Sequence, residues 1–306
     1  MKKALILINT AAGTRKAGND VMNIVEEAAL SGFEPIVFPI IPGTSLSSEE
    51  LIALFGEQVD LILCSGGDGT LNHVVNSYMT LEKEVLLAYI PSGSTNDFAR
   101  GLGIPAKRKD ALRAAFSGTP FAYDVGRMNE RYFNYVAAFG AFADISYDTR
   151  QEWKNVLGYA AYFLNAASEL FQNIRYSRHV WIETDAGTEE GDYIFGAVCN
   201  SVSVGGLPLF HKAGVSLNDG KMELLLIRTP RNLIELQAVI ATLSLGSSNH
   251  PNILFRQITR ATFPATEKLS WALDGEFGGV TKRAEISVEA QKISIMARKR
   301  YVSPLN

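Results

Sequence analysis

Residues 65–70 read Ser-Gly-Gly-Asp-Gly-Thr, three glycines around one carboxylate. Glycine lets the backbone come close to a ligand and adopt positive φ. A helix opening after such a run offers unpaired N–H groups, which favour anions, phosphate above all. A carboxylate inside a phosphate loop repels its ligand unless a cation stands between them, so Asp68 points to magnesium. A second polar run, residues 91–100, reads Pro-Ser-Gly-Ser-Thr-Asn-Asp-Phe-Ala-Arg. Asn96 and Asp97 suit an ordinary helix cap; beside the first loop, they and Ser94 supply a second wall for a nucleotide cleft. Asn9-Thr10-Ala11-Ala12-Gly13 is a third small-residue loop. None of these matches the Gly-x-x-x-x-Gly-Lys phosphate loop or the Gly-x-Gly-x-x-Gly dinucleotide fingerprint. Far downstream, Asp274-Gly275-Glu276 follows an apolar run and puts two carboxylates at a strand end. Either can take the proton of an attacking alcohol; a β-turn with solvated acids is the plain alternative. His73 reads as a helix-surface or capping residue, and His179, His211 and His250 lack metal-ligand spacing. Ser92 and Ser94 sit in no Gly-x-Ser-x-Gly elbow.

These loops need strands to carry them. Up to Gly126 short apolar runs alternate with helical spacing: strands over 4–8, 35–41, 59–64 and 84–90, helices over 21–30, after Ser47-Ser48, and over 71–79. Each strand runs into a Gly- or Pro-rich loop, which predicts a parallel α/β sheet with its ligand beyond the carboxyl ends of the strands. After Gly126 the texture changes. Residues 132–138, 179–184, 193–200, 222–227, 269–273, 284–288 and 292–296 read as strands, with turn signals such as Asn218-Asp219-Gly220 between them. Helical patterns interrupt at 153–171 and 232–245. The expected organisation is a nucleotide-binding α/β domain over 1–127 and a mostly antiparallel β-rich domain over 128–296, with the tail 297–306 packing back on the first.

Composition narrows the functional classes. The chain has 306 residues, 47% hydrophobic and 20% charged, which suits packed globular domains. Its 29 basic and 32 acidic residues give a net charge of −3, against a protein held on nucleic acid by bulk charge. Two cysteines, Cys64 and Cys199, build no disulfide framework and read as buried thiols. The N-terminal apolar run, residues 4–8, is too short for a signal peptide. Residues 193–210 and 236–255 lack charge but are broken by Gly, Pro and Asn, so neither reads as a transmembrane segment. A cytoplasmic location, at most peripheral to the inner membrane face, is expected. The apolar segment 156–164 reads as a buried helix or as one lining an acyl-chain entrance. The basic tail 298–301 reads as a solvated terminus or as a contact with an anionic surface.

The motifs together resemble the diacylglycerol kinase catalytic domain, within the superfamily of sphingosine, ceramide and bacterial lipid kinases. The family's Gly-Gly-Asp-Gly-Thr loop is matched by Gly66, Gly67, Asp68, Gly69 and Thr70. Its Pro-x-Gly-Thr-x-Asn-Asp-Phe-Ala-Arg loop is matched with Ser94 in place of Thr, and its Asn-Pro-x-x-Gly loop by Asn9–Gly13 with Thr10 in place of Pro. Asp124-Val125-Gly126, Asn218-Asp219-Gly220 and Asp274-Gly275-Glu276 follow in family order.

The resemblance implies a nucleotide domain like those of NAD kinase and phosphofructokinase, plus a β-sandwich-like lipid domain. It puts ATP on Asn9, Gly13, residues 66–70, Asn72 and Ser94. It makes Asp274 and Glu276 the carboxylates nearest the acceptor hydroxyl, with Glu276 the preferred proton acceptor. It places a structural magnesium on the Asp219 side chain and the backbone carbonyls of Ser216 and Lys221. The stretch 205–213 lacks the family's clear Pro-x-Ala and bears on the acceptor, which is diacylglycerol-like by default. The expected protein is an ATP- and magnesium-dependent lipid kinase working on a lipid substrate at a membrane surface. NAD kinase, which shares the Gly-Gly-Asp-Gly-Thr loop, and a non-catalytic nucleotide- or lipid-binding protein are the alternatives. An edge strand of the β-rich half can pair with its own copy, which makes a homodimer an available assembly.

Overall fold

A computed structural model of the chain describes residues 1–10, 12, 21–41, 43, 46–93, 96–140, 177–201 and 215–297. The segments 156–164, 205–213 and 298–301, the predicted helix over 153–171, and Gly13 and Ser94 lie outside the described residues. The chain divides into two units, Met1–Tyr123 with Gln291–Asn306, and Asp124–Ala290.

The first unit holds four parallel strands: β1 (Lys2–Asn9), β2 (Phe33–Ile40), β3 (Leu61–Gly66) and β4 (Leu86–Pro91). They run in the order β2-β1-β3-β4. The C-terminal end of β13 (Glu276–Ala297) adds beside β4 through Ile295 and Leu87. Strands β1, β3 and β4 are buried on both faces, as near-continuous apolar strands require, while the edge strand β2 is half-buried. Ala4, Ile6, Ile8, Leu61, Leu63, Ala88 and Ile90 form one core with α1 (Val21–Leu30) and α5 (Arg108–Ser117). Leu5, Leu7, Ile62 and Leu87 face the other way and are equally buried. There α2 (Ser48–Phe55) packs against α3 (Asp68–Tyr78), and α3 against β3. The predicted helix start at Ser47 is a full capping box: Ser47 Oγ accepts from Glu50 N at 3.2 Å and Glu50 returns the bond to Ser47 N at 2.7 Å.

The second unit is antiparallel. Its sheet runs β11 (Ile253–Ile258), β10 (Met222–Arg228), β9 (Gly187–Cys199), β7 (Val136–Gly140), β12 (Arg260–Leu273), β13. Short β8 (Arg178–Thr184) also lies between β9 and β12: it pairs with residues 187–193 of β9, and β7 pairs with 195–199. One apolar face forms a single core that includes Phe139, Val180, Leu224, Phe263, Trp271 and Ile286. Phe139, Phe263 and Trp271 pack ring to ring, centroids 5.0–5.8 Å apart. Helix α6 (Leu233–Ser244) joins β10 to β11; Asn232 Oδ1 caps it by accepting from Glu235 N at 2.9 Å.

Several sequence expectations need correction. The strand expected over 132–138 is two strands, β6 (Arg131–Phe133) and β7, because Asn134 and Tyr135 turn their N–H groups to Asp274 instead of to a neighbouring strand. Residues 284–288 and 292–296 are one strand, β13. β5 (Thr119–Met128) and β11 carry too little alternation to have been read as strands. Among the described residues no helix is long and apolar enough to cross a membrane.

Candidate functional site

In the first unit three loops leave the carboxyl ends of adjacent strands β1, β3 and β4, and hydrogen bonds tie them together. Asn9 Nδ2 donates to Thr70 Oγ1 at 2.8 Å, joining the first loop to the second. Ser92 N donates to Gly66 O at 2.7 Å, and Asp97 N to Asp68 Oδ2 at 3.0 Å, joining the second to the third. A Cβ on Gly93 would stand 2.7 Å from Gly67 Cα, so the two glycines let the loop backbones touch. Gly66 is closed in the same way over Thr70, whose Cβ would lie 2.6 Å from an added methyl.

Asp68 is not at the middle of a loop. It is the first residue of α3, only 8% exposed, because the helix starts directly after Gly67. Gly67 has no side chain to cap the helix, so the first turn of α3 faces the loop cluster without a side-chain cap of its own. Burial and the Asp68 charge raise the Cys64 thiol well above its usual range; both cysteines are free and buried. Asn96, directly before the short helix α4 (Asp97–Gly101), sits at φ 51°, a left-handed turn that asparagine tolerates, and its amide closes the third loop through Gly93 N at 2.9 Å and Gly93 O at 2.8 Å. Asn72 is buried on α3, where its carbonyl and side-chain oxygens both accept from Asn76 Nδ2. His73 is exposed on the same helix.

In the second unit Asp274 and Gly275 form a two-residue hairpin between β12 and β13, with φ 50° and 81°. Positive φ at both positions is the signature of a type I′ turn, whose twist matches paired strands. Asp274 is 3% exposed, and its carboxylate accepts four bonds. Oδ2 takes Asn134 N at 2.7 Å and Asn134 Nδ2 at 2.9 Å; Oδ1 takes Tyr135 N at 2.9 Å and Val136 N at 3.1 Å. Four acceptor bonds fill the lone pairs of a carboxylate. Glu276, opposite Leu273 in the hairpin, is half-exposed.

A second turn is fixed by the same lattice. Tyr135 O accepts from Asn200 N at 3.0 Å, and Asn200 Nδ2 donates to Asp124 O at 2.6 Å and to Leu217 O at 3.4 Å. Asp124, fully buried, accepts from Gly220 N at 2.7 Å. Ser216, Asp219 and Lys221 therefore sit on a held turn: Ser216 Oγ donates to Asn218 Oδ1 at 3.1 Å, and Lys221 N to Asp219 Oδ1 at 3.1 Å. Asp219 is exposed. Among the described residues no three His, Cys, Asp or Glu converge on a metal position. A hard cation at this turn would rely on the Asp219 carboxylate, backbone carbonyls and water, donors that magnesium accepts.

Sequence reading missed Asn134, Asn200 and Glu223. Each had a faint signal, a polar side chain inside an apolar strand run. Glu223 is wholly buried on β10; burial, then the Asp219 charge, raises its carboxyl to about 8 against a bond from Gln257 Nε2 at 3.3 Å.

Known proteins share this framework. The family model of the diacylglycerol kinase catalytic domain matches residues 3–128. A diacylglycerol kinase of Bacillus subtilis (strain 168) is 34% identical over 288 residues, covering 92% of this chain and 91% of its own. One from Staphylococcus carnosus (strain TM300) is 28% identical over 281 residues, covering 91% and 90%. Two solved Bacillus anthracis str. Sterne structures superpose on 98% of this chain and 98% of theirs. A candidate diacylglycerol kinase does so with TM-score 0.83 at 23% identity, and a diacylglycerol kinase with 0.76 at 21%. Those likenesses speak for the fold, whereas the Bacillus subtilis match, with its coverage of both chains, speaks for kinship: the chain belongs to the diacylglycerol kinase family.

Proposed function

We propose that this chain is an ATP-dependent lipid kinase that phosphorylates a hydroxyl of a diacylglycerol-like acceptor. The observation that carries the reading is the joining of three small-residue loops at the carboxyl ends of β1, β3 and β4, with Asn9, Thr70, Asp68 and Asp97 as the links. Backbone N–H groups at such a place suit nucleotide phosphates. Phosphoryl transfer asks mainly for positioning and charge neutralisation, which loops of this kind supply.

Residues 1–127, an NAD kinase-like domain with the tail 297–306, take the nucleotide through Asn9, Gly13, residues 66–70, Asn72, Ser94, Asn96 and Asp97. Residues 128–296, a sandwich-like domain, take the lipid. Glu276 is the proton acceptor: it is half-exposed, whereas the Asp274 carboxylate is filled by four donors and serves as a positioning residue. Ser216, Asp219 and Lys221 would hold a structural magnesium, which when bound would brace the turn that Asp124 and Asn200 already fix. Asp68 orders the second and third loops through Asp97 and stands beside the phosphates as a second cation-organising carboxylate. The enzyme works at the cytoplasmic face of a membrane, as a peripheral protein.

The test is transfer from γ-labelled ATP with magnesium into bacterial lipid in mixed micelles, followed by organic extraction. Label in the organic phase, lost in Asp68→Ala and in Glu276→Ala with folding intact, is the expected result. Label in NADP instead, or nucleotide binding without turnover on any lipid, would overturn it.

A further inference from the structure

Among the described residues, helix α6 differs from the other long exposed helices. The outward sides of α1, α2 and α5 all carry charge: Glu26 on α1, Glu49 and Glu50 on α2, Lys109 and Arg113 on α5. On α6 the exposed positions are Leu233, Ile234, Gln237, Ala238, Ala241 and Ser244, followed by Leu245, and none is charged. Ile234 is 77% and Leu245 72% exposed, one at each end of a helix about 18 Å long. Its inward side is apolar as well: Leu236, Val239, Ile240 and Leu243 are buried at helical spacing. A helix apolar on both sides has a second partner to meet besides its own core.

The charges near this helix are arranged to suit one kind of partner. Its single acid, Glu235, is drawn back to the chain by Arg231 N at 2.8 Å and Asn252 Nδ2 at 3.4 Å. Arg231 is exposed just before the first turn. From Asn232 to Asn252 no other Asp, Glu, Lys or Arg occurs. The result is an apolar ridge with a cation at its entry and no outward-facing anion, complementary to acyl chains under anionic headgroups. A second protein copy fits less well, since one helix face supplies far fewer than the about 20–30 residues a side of a stable protein interface.

We infer that α6 is the element that docks this enzyme on an anionic bilayer, with Ile234 and Leu245 entering the acyl boundary and Arg231 at the headgroups. This rests on the lipid-kinase reading, because a bilayer-borne acceptor is what makes such docking useful. The full chain is tested for co-sedimentation with vesicles of phosphatidylglycerol and phosphatidylethanolamine, as wild type and as Ile234→Glu/Leu245→Glu. Met22→Glu, at an equally exposed apolar position on α1, is the control. The double variant should bind the vesicles at least about tenfold more weakly, the factor expected for withdrawing one large aliphatic side chain from an apolar phase. The control should bind as wild type does. Turnover of a water-soluble short-chain diacylglycerol should be equal in all three, and this arm reports on the kinase reading independently of docking. Wild-type vesicle affinity in the double variant would overturn the inference. So would a wild-type dimer in sedimentation velocity that the double variant dissociates, since the ridge would then belong to a second copy.

Discussion

Replacing Asp274 by Asn separates anchoring from proton transfer. The native carboxylate offers two oxygens to four donors, three of them backbone N–H groups of residues 134–136. An amide keeps one oxygen and turns the other acceptor into a donor. In the best arrangement the new NH₂ lies on the Oδ2 side and Asn134 rotates its own amide to accept from it, yet Asn134 N still loses its acceptor. In the worst, Tyr135 N and Val136 N both do. One to two bonds to a charged group are lost, each worth about 1.5–3 kcal/mol at a buried site, so Asp274→Asn should cost roughly 2–6 kcal/mol. Set against a typical stability of about 5–15 kcal/mol, that is a large fraction. Urea unfolding followed by circular dichroism and by the fluorescence of buried Trp271 measures it. Glu276→Gln, at a half-exposed position, should shift stability by about 0.5 kcal/mol or less while removing turnover. A variant Asp274→Asn within about 1 kcal/mol of wild type would refute the anchoring argument, because no arrangement of the amide satisfies all four donors.

Gly93→Ala should destabilise the first unit by about 1–3 kcal/mol and weaken ATP binding, since the added methyl meets the Gly67 backbone at 2.7 Å; thermal melts with and without ATP measure both effects. Ser47→Ala, which removes the capping box of α2, should cost about 1 kcal/mol in urea unfolding and leave turnover unchanged. His179 should titrate above its ordinary 6.5, held protonated by the hydrogen bond to Asp192 first and to Glu190 second. Because its folded value is raised, the stabilisation is complete below the unfolded value and fades as pH rises through the folded one; Asp192→Asn should bring the ring's NMR titration back toward 6.5.

The phosphate-type loops were legible because their chemistry is written in adjacent residues. Gly66, Gly67, Asp68, Gly93 and Asn96 announce tight turns wherever they occur, and apolar strands before them say where the turns must lie. Even so, the reason for two of the glycines was hidden: Gly67 and Gly93 make room for each other across two loops, a contact that neither segment reveals alone. The Asp274-Gly275 turn was equally visible as a turn, but the solvated carboxylate that is its plain alternative is wrong. The partners that fill Asp274 lie 138–140 residues earlier, and Asn134 reads only as a polar interruption of an apolar run. Strands β5 and β11 escaped for a related reason: their burial depends on neighbouring strands more than on alternation within themselves. The lack of charge along α6 was visible in the sequence, but which of its apolar side chains stay exposed was not, because both of its sides are apolar.

The lattice around Asp274 also bears on the order in which the molecule can form. The bonds to residues 134–136 close loops of about 140 residues, and the bond from Gly220 to Asp124 closes one of 96. Contacts of such sequence separation come late, because loop-closure entropy is lost before they reward it. The pairing of β1 to β4 with one another uses only the first part of the chain; the end of β13 that adds beside β4 arrives last, so a growing polypeptide can order the four strands and their loops before the acid hairpin has been made. Amides 134–136 wait for the last strands, with their acceptor still on the ribosome. In refolding from urea, nucleotide binding should therefore recover ahead of phosphotransfer, and protection of the Asn134, Tyr135 and Val136 amides from hydrogen exchange should rise in step with the slower of the two.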